Sequence, residues 1–479
     1  MSQVKHNCGL CVAHTLHDVY SFTKSLQHRG REAAGIAAIG NNKIDVIKWA
    51  GDFNKFDLED LHDIFPGHKY HTFMGHVRYA TRGRKDKILE DAHPHTIGGK
   101  SIVRNGHIII RDCEAVIVHN GQVDEKYIPI SNRRSLKTEC DSERILHYLV
   151  ENNEFELMTK SPGAYTLAFT EKNREEIVVM RDVLGMLPGI LGKKDGKFGV
   201  ASEDVAFKLN GGEPVEDLQP GNIYYLNANG NYRKKEVIKS KIRAHCMFQF
   251  QYIINKLTIA DSVSTKIHRE NLGHQLAEEN LFNEIAYLTY APRCPEMAAR
   301  VCAKDVGLPF IKVFYKPVAE RSFQGSTKKD RELSINENFY LIPGIEEIIE
   351  GKEIGVVEDS IVRGNVLARI KHLLYDEARV KKAHLISYTP PLCITGEDGI
   401  NRGCMFGVDM PPEPILSDEY FARGRTSEQI SEKAGMPVSY LSLEGMLVAF
   451  ERSGMSRENL CTYCLGGEHP FTRLTIEGK

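Results

Sequence analysis

The sequence predicts an α+β domain built on antiparallel sheets, followed by an α/β domain built on a mostly parallel sheet. In the first half, short β-rich runs lie between Gly and Asn turn signals, as at residues 115–119, 176–180 and 223–226. From about Ile267, helical patterns alternate with buried strands, which is typical of a parallel sheet with crossover helices. At 479 residues the chain is also too long for one ordinary core. Two domains are therefore expected.

Further elements fit this division. Amphipathic helices are predicted in the first half at 19–27 and 142–150. The second half is predicted to contain helix 295–306, strand 310–314, strand 353–358, helix 366–376 and strand 382–388. The Asn- and Lys-rich stretch 227–241 predicts a connection between the halves. We expect one domain at 8–235, a second at 245–450 and a C-terminal tail at 451–479.

Composition narrows the classes of function. The chain carries 62 basic and 64 acidic residues, a net charge of −2, so no overall field attracts nucleic acid or an anionic membrane. No run of about 18 apolar residues predicts a membrane span, and the polar start lacks the core of a signal peptide. The eleven cysteines are an odd number, which favours reduced thiols. We expect a soluble, cytoplasmic protein with small-molecule or protein partners.

Cys8 is a candidate nucleophile. Removal of the seven preceding residues would leave Cys8 with a free α-amine, whose ordinary pKa near 8 suits it to accept the thiol proton. A lone cysteine is more often a small buried hydrophobe. The motifs downstream favour the nucleophile. In order along the chain, they are Leu26-Gln27-His28-Arg29-Gly30, Ala33-Ala34-Gly35-Ile36, Gly75-His76-Val77-Arg78-Tyr79-Ala80-Thr81, His119-Asn120-Gly121 and Cys140-Asp141-Ser142-Glu143.

Together with Cys8, these motifs resemble the class II, N-terminal-nucleophile glutamine amidotransferases. The resemblance implies a four-layer sandwich of antiparallel sheets and helices. Glutamine has an α-carboxylate, which suits the Arg78 guanidinium, and an α-ammonium, which suits the Asp141 carboxylate. Attack on its amide creates an oxyanion, which Asn120 and the Gly121 N–H would stabilise. By the same resemblance, Arg29 and Thr81 support glutamine binding.

The rest of the first half resembles one branch of that class, the amidophosphoribosyltransferases. The matching motifs are Gly163-Ala164-Tyr165, Arg181-Asp182, Ala201-Ser202-Glu203 and Pro220-Gly221. One position departs from the family pattern: Leu187 stands where a second arginine is usual.

In the second half, an apolar strand runs into two acids and a loop of small residues, from Ile354 to Gly364. The stretch Asp359-Ser360-Ile361-Val362-Arg363-Gly364 resembles the phosphoribosyl-diphosphate loop of type I phosphoribosyltransferases, with Glu358 in place of the first of two aspartates. The acids suit ribose hydroxyls and the shell of a bound Mg²⁺, and the loop N–H groups with the following helix suit the 5′-phosphate.

A basic loop upstream fits the same substrate. Arg321-Ser322-Phe323 and Arg331 resemble the family's flexible loop, whose cations would stabilise the leaving diphosphate. Two stretches depart from the family pattern: Pro292-Arg293-Cys294-Pro295 replaces a Pro-Asp-Ser-Gly turn, and Asn255-Lys256-Leu257-Thr258 replaces an Arg-Pro-Asp-Ser stretch.

Four cysteines match the thiolates of the cluster-containing branch of the family: Cys246, Cys404, Cys461 and Cys464. The resemblance implies that they hold a structural [4Fe–4S] cluster, and a Zn²⁺ site with four cysteines is the chemical alternative. The other cysteines, Cys140 and Cys393 included, are interpreted as packing residues.

The resemblance implies that glutamine, phosphoribosyl diphosphate and water become 5-phosphoribosylamine, glutamate and diphosphate, the first step of purine synthesis. It also implies inhibition by purine nucleotides and a homo-oligomer, a tetramer in the family. Two alternatives stay open at this point. The first is a divergent enzyme that aminates another phosphoribosyl or phosphorylated acceptor. The second is a regulatory protein that binds phosphoribosyl diphosphate or nucleotides without turnover.

Overall fold

The computed structural model describes residues 8–473, except for 68, 80–86, 132–135, 240, 280, 281, 283, 318–338 and 405–419. Within these ranges, every helix is too short or too polar to cross a membrane.

The first half is built on thirteen antiparallel strands that form one continuous hydrogen-bonded sheet. Its strands are β1 (Gly9–Ala13), β2 (Ala33–Gly40), β3 (Lys43–Ala50), β4 (Thr72–Arg78), β5 (His95–Arg104), β6 (His107–Val123), β7 (Gly163–Glu171), β8 (Glu176–Arg181), β9 (Ile190–Lys194), β10 (Lys197–Ala201), β11 (Glu213–Asp217), β12 (Asn222–Asn227) and β13 (Tyr232–Glu236). The strand order is β11-β9-β10-β1-β4-β2-β3-β6-β7-β8-β12-β13, and β5 pairs with β6.

The long strand β6 lets this sheet fold over onto itself. Its first residues pair with β3, from His107↔Trp49 to Ile110↔Val46, whereas residues 115–123 pair with β7. One face of each part lines a shared central core, and the alternation of side chains along a strand sends the neighbouring residues to the outside. On β6, Val116 and Val118 face the central core, whereas Ala115 and Ile117 face outward.

Helices cover both outer faces of the folded sheet. Helices α1 (Leu16–Ser25) and α2 (Leu58–Ile64) pack on one face, and α3 (Asp141–Glu151) and α4 (Glu154–Lys160) pack on the other. The short helix α5 (Val205–Lys208) contributes to the first face. The arrangement is helix, sheet, sheet, helix, and the predicted four-layer sandwich is confirmed.

The second half contains a parallel sheet in the order β17-β20-β21-β22, with apolar clusters on both faces. These strands are β17 (Tyr287–Tyr290), β20 (Glu353–Glu358), β21 (Lys382–Ser387) and β22 (Val438–Tyr440). Short strand pairs lie around them: β14 (His245–Cys246) with β23 (Leu460–Cys461), β15 (Ile259–Ala260) with β16 (Val263–Ser264), and β18 (Phe314–Tyr315) with β19 (Tyr340–Leu341). The predicted α/β domain is confirmed.

The helices of this half are α6 (Thr265–Glu278), α7 (Glu296–Asp305), α8 (Ile345–Ile349), α9 (Asn365–Lys371), α10 (Ser427–Ala434) and α11 (Leu443–Arg452). Most predicted elements are present, but the strand predicted at 310–314 is largely irregular. Phe310 makes a single bridge to Leu288, and regular pairing begins only at Phe314. Pro309, which has no N–H to donate, precedes the run and limits the ladder.

A buried ion pair fastens the first half to the start of the second. Arg181 Nη1 and Nη2 donate to the two carboxylate oxygens of Asp261, each at 2.8 Å, and the arginine side chain is 1% exposed. Burial opposes ionisation of Asp261, but Arg181 and His245 outweigh it and hold the pKa of that carboxyl well below its usual range. Charge complementarity therefore fixes the contact between residues 181 and 261.

We predict that Asp261→Asn lowers the free energy of unfolding by about 3–5 kcal/mol, because it leaves the Arg181 charge buried without its counterion. Asparagine keeps the shape and tolerates the positive φ of 48° at this position. The unfolding midpoint in urea measures the loss. The matched control is Glu278→Gln, whose partner Arg452 is about half exposed, and it should cost less than about 1 kcal/mol. Equal losses in the two variants would contradict the role of the buried pair.

Candidate active site

Cys8 lies immediately before β1, which pairs with β4 through Gly9↔Val77. Its side chain is fully buried. Burial raises the pKa of the Cys8 thiol to about 12, against the opposing effects of a hydrogen bond from the Tyr79 backbone and the charges of Arg78 and Arg29. The thiol is therefore protonated at neutral pH, and attack on a substrate needs a base that takes its proton.

Arg29 holds the backbone of Cys8. It ends a short 3₁₀ turn, Gln27–Arg29, and its Nε donates to the Cys8 carbonyl at 2.8 Å. Its Nη1 donates to Glu203 Oε1 at 2.5 Å, and both side chains are fully buried. Burial would raise the pKa of Glu203, but His28 and Arg29 outweigh it and hold that pKa well below its ordinary range. The carboxylate is therefore charged, and it anchors Arg29 beside Cys8.

Glu203 also bonds the second half of the chain. Its Oε2 accepts from the Asn255 N–H at 2.9 Å and from the Thr258 hydroxyl at 2.8 Å. Arg29 Nη2 reaches the same half, donating to Gln249 Oε1 at 3.2 Å. The stretch 255–258, which departs from the family pattern in sequence, thus lies at the contact between the halves.

Arg78 ends β4, and its side chain is fully buried between two carboxylates. Nη1 donates to Glu32 Oε2 at 3.0 Å and Nη2 to Asp91 Oδ2 at 3.4 Å. The chain passes close behind it, because a Cβ on Gly30 would lie 2.3 Å from the Arg78 carbonyl carbon. These contacts use two of the five N–H donors of the guanidinium, and within the described residues Nε has no hydrogen-bond partner. Thr81 lies outside the described residues.

Asn120 and Gly121 lie near the end of β6. Asn120 is fully buried, and within the described residues neither its amide nitrogen nor its amide oxygen has a hydrogen-bond partner. Gly121 has φ of 144°, and a Cβ there would lie 2.0 Å from the Ala164 carbonyl oxygen. Glycine is therefore required at 121, and the buried amide at 120 is available to bond a ligand.

Asp141 is the first residue of α3, and it lies close to the end of the same strand. The Val123 N–H donates to Asp141 Oδ2 at 3.0 Å. Burial raises the pKa of the Asp141 carboxyl to about 7, although backbone hydrogen bonds oppose the rise. A cationic group beside it would favour the ionised form.

A second site is a cleft of about 530 Å³ at the carboxyl edge of the parallel sheet. Glu358 ends β20 and Asp359 follows it, so both acids line the cleft. His28 from the first half lines it as well, and His28 Nε2 donates to Glu203 Oε1 at 2.9 Å. The cleft therefore opens between the halves, next to the carboxylate that anchors Arg29.

The floor of the cleft combines acids with basic residues. Burial and the neighbouring Asp359 raise the pKa of Glu358, and Lys316 opposes the rise. Within the described residues, Glu358 Oε2 has no hydrogen-bond partner. Lys256 and Arg293 lie on the same lining. Arg293 thus brings a cation to this cleft, where the family pattern has an acid.

The loop after the acids leads into α9. The Ser360 hydroxyl donates to Asp359 Oδ1 at 2.9 Å, and both residues are buried. Gly364 has φ of 78° and precedes the helix, and Arg363 lies 5.8 Å from the Tyr420 ring. Arg321 and Arg331 lie outside the described residues. The sequence motifs predict no role for His28 or Lys316, and Lys316 stands outside every motif.

The four predicted cluster cysteines converge from three distant segments. Strands β14 and β23 run parallel and pair Cys246 with Cys461. Burial, followed by the neighbouring Cys404 and other thiols, raises the pKa of Cys464 well above its usual range. Cys393 is a fifth thiol beside them, because its N–H donates to the Cys464 carbonyl at 2.8 Å.

Leu187, at the family's arginine position, packs in a small apolar cluster with Ala244 from the connection between the halves. Its carbonyl accepts from Arg181 Nε at 2.6 Å. The segment is therefore held by Arg181 and by apolar contact.

A family model described as a glutamine amidotransferase domain matches residues 106–209. The amidophosphoribosyltransferase of Archaeoglobus fulgidus is 30% identical over 464 residues, which cover 94% of this chain and 93% of that relative. The amidophosphoribosyltransferase of Bacillus subtilis is 28% identical over 462 residues, covering 93% and 89%. A solved structure of the glutamine phosphoribosylpyrophosphate amidotransferase from B. subtilis, complexed with ADP and GMP, superposes with a TM-score of 0.75 at 24% identity, covering 98% of this chain and 99% of that chain.

The fold and the paired sites define a class of enzyme, a glutamine amidotransferase joined to a phosphoribosyltransferase. Within that class, the chain belongs to the amidophosphoribosyltransferase family. The predicted reaction is confirmed: ammonia from glutamine is transferred to phosphoribosyl diphosphate, in the first step of purine biosynthesis. The predicted class of enzyme, a glutamine amidotransferase and pentosyltransferase, is confirmed with it.

We predict that Asn120→Ala lowers kcat for glutamine hydrolysis by about 10²–10³-fold with little change in KM, because the amide would bond the oxyanion mainly in the transition state. Steady-state kinetics of glutamate formation measure both constants. Asn173→Ala, at an exposed turn of the same half, is the control and should be unchanged. A rise in KM at constant kcat would contradict the role of Asn120.

Proposed function

We propose that the chain forms 5-phosphoribosylamine by hydrolysing glutamine at Cys8 and passing the ammonia to the cleft around Asp359. The observation that carries this proposal is the buried Arg29–Glu203 pair, which bonds both the Cys8 carbonyl and the second half of the chain. A chain that only binds nucleotides would have no need for a buried thiol supported in this way.

The base for Cys8 is its own α-amine, exposed by removal of residues 1–7. The fully buried thiol needs a base, and an α-amine with an ordinary pKa near 8 can accept its proton near neutral pH. Its attachment to the same residue supplies the proximity that general-base catalysis needs.

Glutamine binds through both of its charged ends. Arg78 takes the α-carboxylate through N–H donors that its contacts with Glu32 and Asp91 leave unused, Nε among them. Asp141 takes the α-ammonium, and Arg29 and Thr81 support the pocket. The Asn120 amide and the Gly121 N–H stabilise the oxyanion, which agrees with the buried, unbonded amide in the described structure.

Phosphoribosyl diphosphate and Mg²⁺ bind in the 530 Å³ cleft. Glu358 and Asp359 contact the ribose hydroxyls and the Mg²⁺ shell, since carboxylate oxygens are preferred Mg²⁺ ligands. Ser360, Gly364 and the start of α9 hold the 5′-phosphate. Three arginines complete this set, as the family resemblance implies: Arg363, Arg321 and Arg331.

The four thiols of Cys246, Cys404, Cys461 and Cys464 hold a [4Fe–4S] cluster. Burial raises the pKa of Cys246, Cys461 and Cys464, and neighbouring thiols of the set add to the rise, which fits a metal centre that stabilises the thiolates. A Zn²⁺ ion with Zn–S bonds of about 2.3 Å would need sulfurs about 3.8 Å apart. The cluster would tie the connection between the halves to the C-terminal tail.

We propose that the regulation and the assembly of this chain resemble those of the family. The B. subtilis structure holds ADP and GMP, and we propose that purine nucleotides inhibit this chain too. A cytoplasmic homo-oligomer, a tetramer as in the family, completes the proposal. The domain limits proposed are 8–235 and 245–450, with a tail at 451–479.

Cys8→Ala should lower glutamine-dependent synthesis at least about 10³-fold while ammonia-dependent synthesis persists, because the two sites are chemically separate. Products from glutamine and from ammonium salts, identified by mass, measure both activities. Cys11→Ala, on the adjoining strand β1, is the control. Intact mass of active protein should correspond to a chain that begins at Cys8. A fully active chain that retains residues 1–7 would overturn the amine mechanism.

Asp359→Asn should abolish phosphoribosyl transfer and spare basal glutamine hydrolysis, because it removes a charge that contacts ribose or its Mg²⁺. Phosphoribosylamine and glutamate are measured in the same reaction, with Asp305→Asn on the surface as the control. Synthesis at the parental rate would show that the loop has been assigned wrongly.

Cys461→Ser should lose iron and become poorly soluble, because cluster binding contributes to folding. Anaerobically purified parent protein should contain about four irons and four labile sulfides per chain. Cys302→Ser, a buried cysteine of the same apolar core, should keep its iron. Zinc in place of iron, or normal stability without metal, would contradict the cluster.

A further inference from the structure

Three metal-ligating side chains meet in the first half, away from the four-cysteine site. The ligand atoms of His93, His95 and Cys140 all lie within 4.8 Å of one another, and all three residues are buried. The sequence pattern predicts only a packing role for Cys140, and it does not mark the two histidines, which lie about 45 positions upstream.

Several contacts fix the histidine side of this group. The His93 ring stacks on the His76 ring of β4 with centroids 4.1 Å apart. His95 opens β5 and pairs with Ile117 of β6. The segment that precedes the histidines is held by the buried Lys48, whose Nζ donates to the Glu90 and Ala92 carbonyls at 2.7 and 2.9 Å. These contacts hold the histidines in place independently of Cys140.

The backbone also requires this close approach. A Cβ on Gly35 would lie 2.3 Å from the His93 carbonyl oxygen, so only glycine lets the segment pass over β2. On the other side, Cys140 is the residue that precedes α3, and no side-chain hydrogen bond caps that helix. The thiol is thus presented from a helix start and the imidazoles from the entry to a strand.

Two imidazoles and one thiolate form a donor set that suits Zn²⁺. Ligand atoms around a tetrahedral Zn²⁺ lie about 3.3–3.8 Å apart, given bonds of about 2.0–2.3 Å. Closing this group onto an ion therefore needs side-chain shifts of roughly an ångström. Three protein ligands leave the fourth position for water.

The surrounding charges also favour a cation. The cationic groups here are Lys48, Arg78 and Lys87, and the first two already bond protein oxygen atoms. The acidic groups that face them or adjoin Cys140 are Glu32, Asp91, Asp141 and Glu143. Glu90 adjoins Asp91 as a further acid. Acidic side chains thus outnumber basic ones at a buried site, and a bound Zn²⁺ would offset the difference.

We propose that His93, His95 and Cys140 bind a Zn²⁺ ion, separate from the four-cysteine centre. The ion would join the segment that carries Asp91, a partner of Arg78, to the residue next to Asp141. It would thereby position both groups that hold the charged ends of glutamine, a consequence that rests on the proposed roles of Arg78 and Asp141. The three ligands are positioning residues and do not touch the reacting atoms.

The test measures zinc and iron in the same preparations. Wild-type protein grown with added Zn²⁺ should contain about one zinc per chain, and Cys140→Ser and His95→Asn should lose it while keeping their iron. Cys113→Ser removes another buried thiol of the same half and should keep both metals. Zinc that persists in Cys140→Ser, or no zinc in wild type, would overturn the proposal.

A spectroscopic measurement on the wild-type protein tests the site even if the variants fail to fold. X-ray absorption at the zinc edge of the wild-type protein should show a mixed shell of nitrogen or oxygen with one sulfur. A shell of four sulfurs would place zinc at the other cysteines and overturn the proposal.

The KM for glutamine is measured separately from the metal content. In folded His95→Asn, the KM for glutamine should rise about tenfold, whereas ammonia-dependent synthesis is unchanged. Wild-type protein can also be stripped of zinc with a chelator and then reloaded. If reloading restores tight glutamine binding, positioning by the ion is supported. If wild type binds zinc as proposed but the KM of His95→Asn is unaltered, the positioning role is rejected and the metal site stands.

Discussion

The buried pair between Arg29 and Glu203 is the interaction on which both sites depend. Burying two charged side chains away from water costs free energy unless their hydrogen bonds are satisfied. Here Arg29 bonds the Cys8 carbonyl and Gln249, and Glu203 bonds His28, Asn255 and Thr258. Removing any one group leaves a charge or donor in an apolar interior. Cys8 is therefore held through a pair that also bonds the second half of the chain.

Two of the positions that depart from the family pattern, residues 255–258 and Leu187, lie at the contact between the halves. Residues 255–258 bond Glu203, and Leu187 packs against the connection while its carbonyl accepts from Arg181. Arg181 in turn pairs with Asp261. The Arg181–Asp261 pair joins the halves directly, whereas the Arg29–Glu203 pair lies within the first half and reaches the second through hydrogen bonds to Gln249, Asn255 and Thr258. The relative position of the sites is therefore set by buried polar contacts as well as by apolar contact.

The fold was predictable wherever local pattern and burial agree. The apolar strand predicted at 353–358 is β20, and the four cysteines at 246, 404, 461 and 464 converge as their spacing in the family implied. The site was less predictable because its partners are set by tertiary placement. Nothing local marks Glu32 and Asp91 as the partners of Arg78, or His93 and His95 as neighbours of Cys140. Such contacts depend on the register of β4, β5 and β6.

The most direct test of the central claim is the ratio of glutamate to phosphoribosylamine formed by Glu203→Gln in the presence of phosphoribosyl diphosphate. The Glu203→Gln substitution keeps the shape of the side chain and removes the charge that anchors Arg29. With circular dichroism confirming the fold and the exposed Glu213→Gln as the matched control, the account predicts that glutamate exceeds product in Glu203→Gln and matches it in the control. A ratio of one in Glu203→Gln, with the parental rate, would contradict the claim that this carboxylate links the two sites.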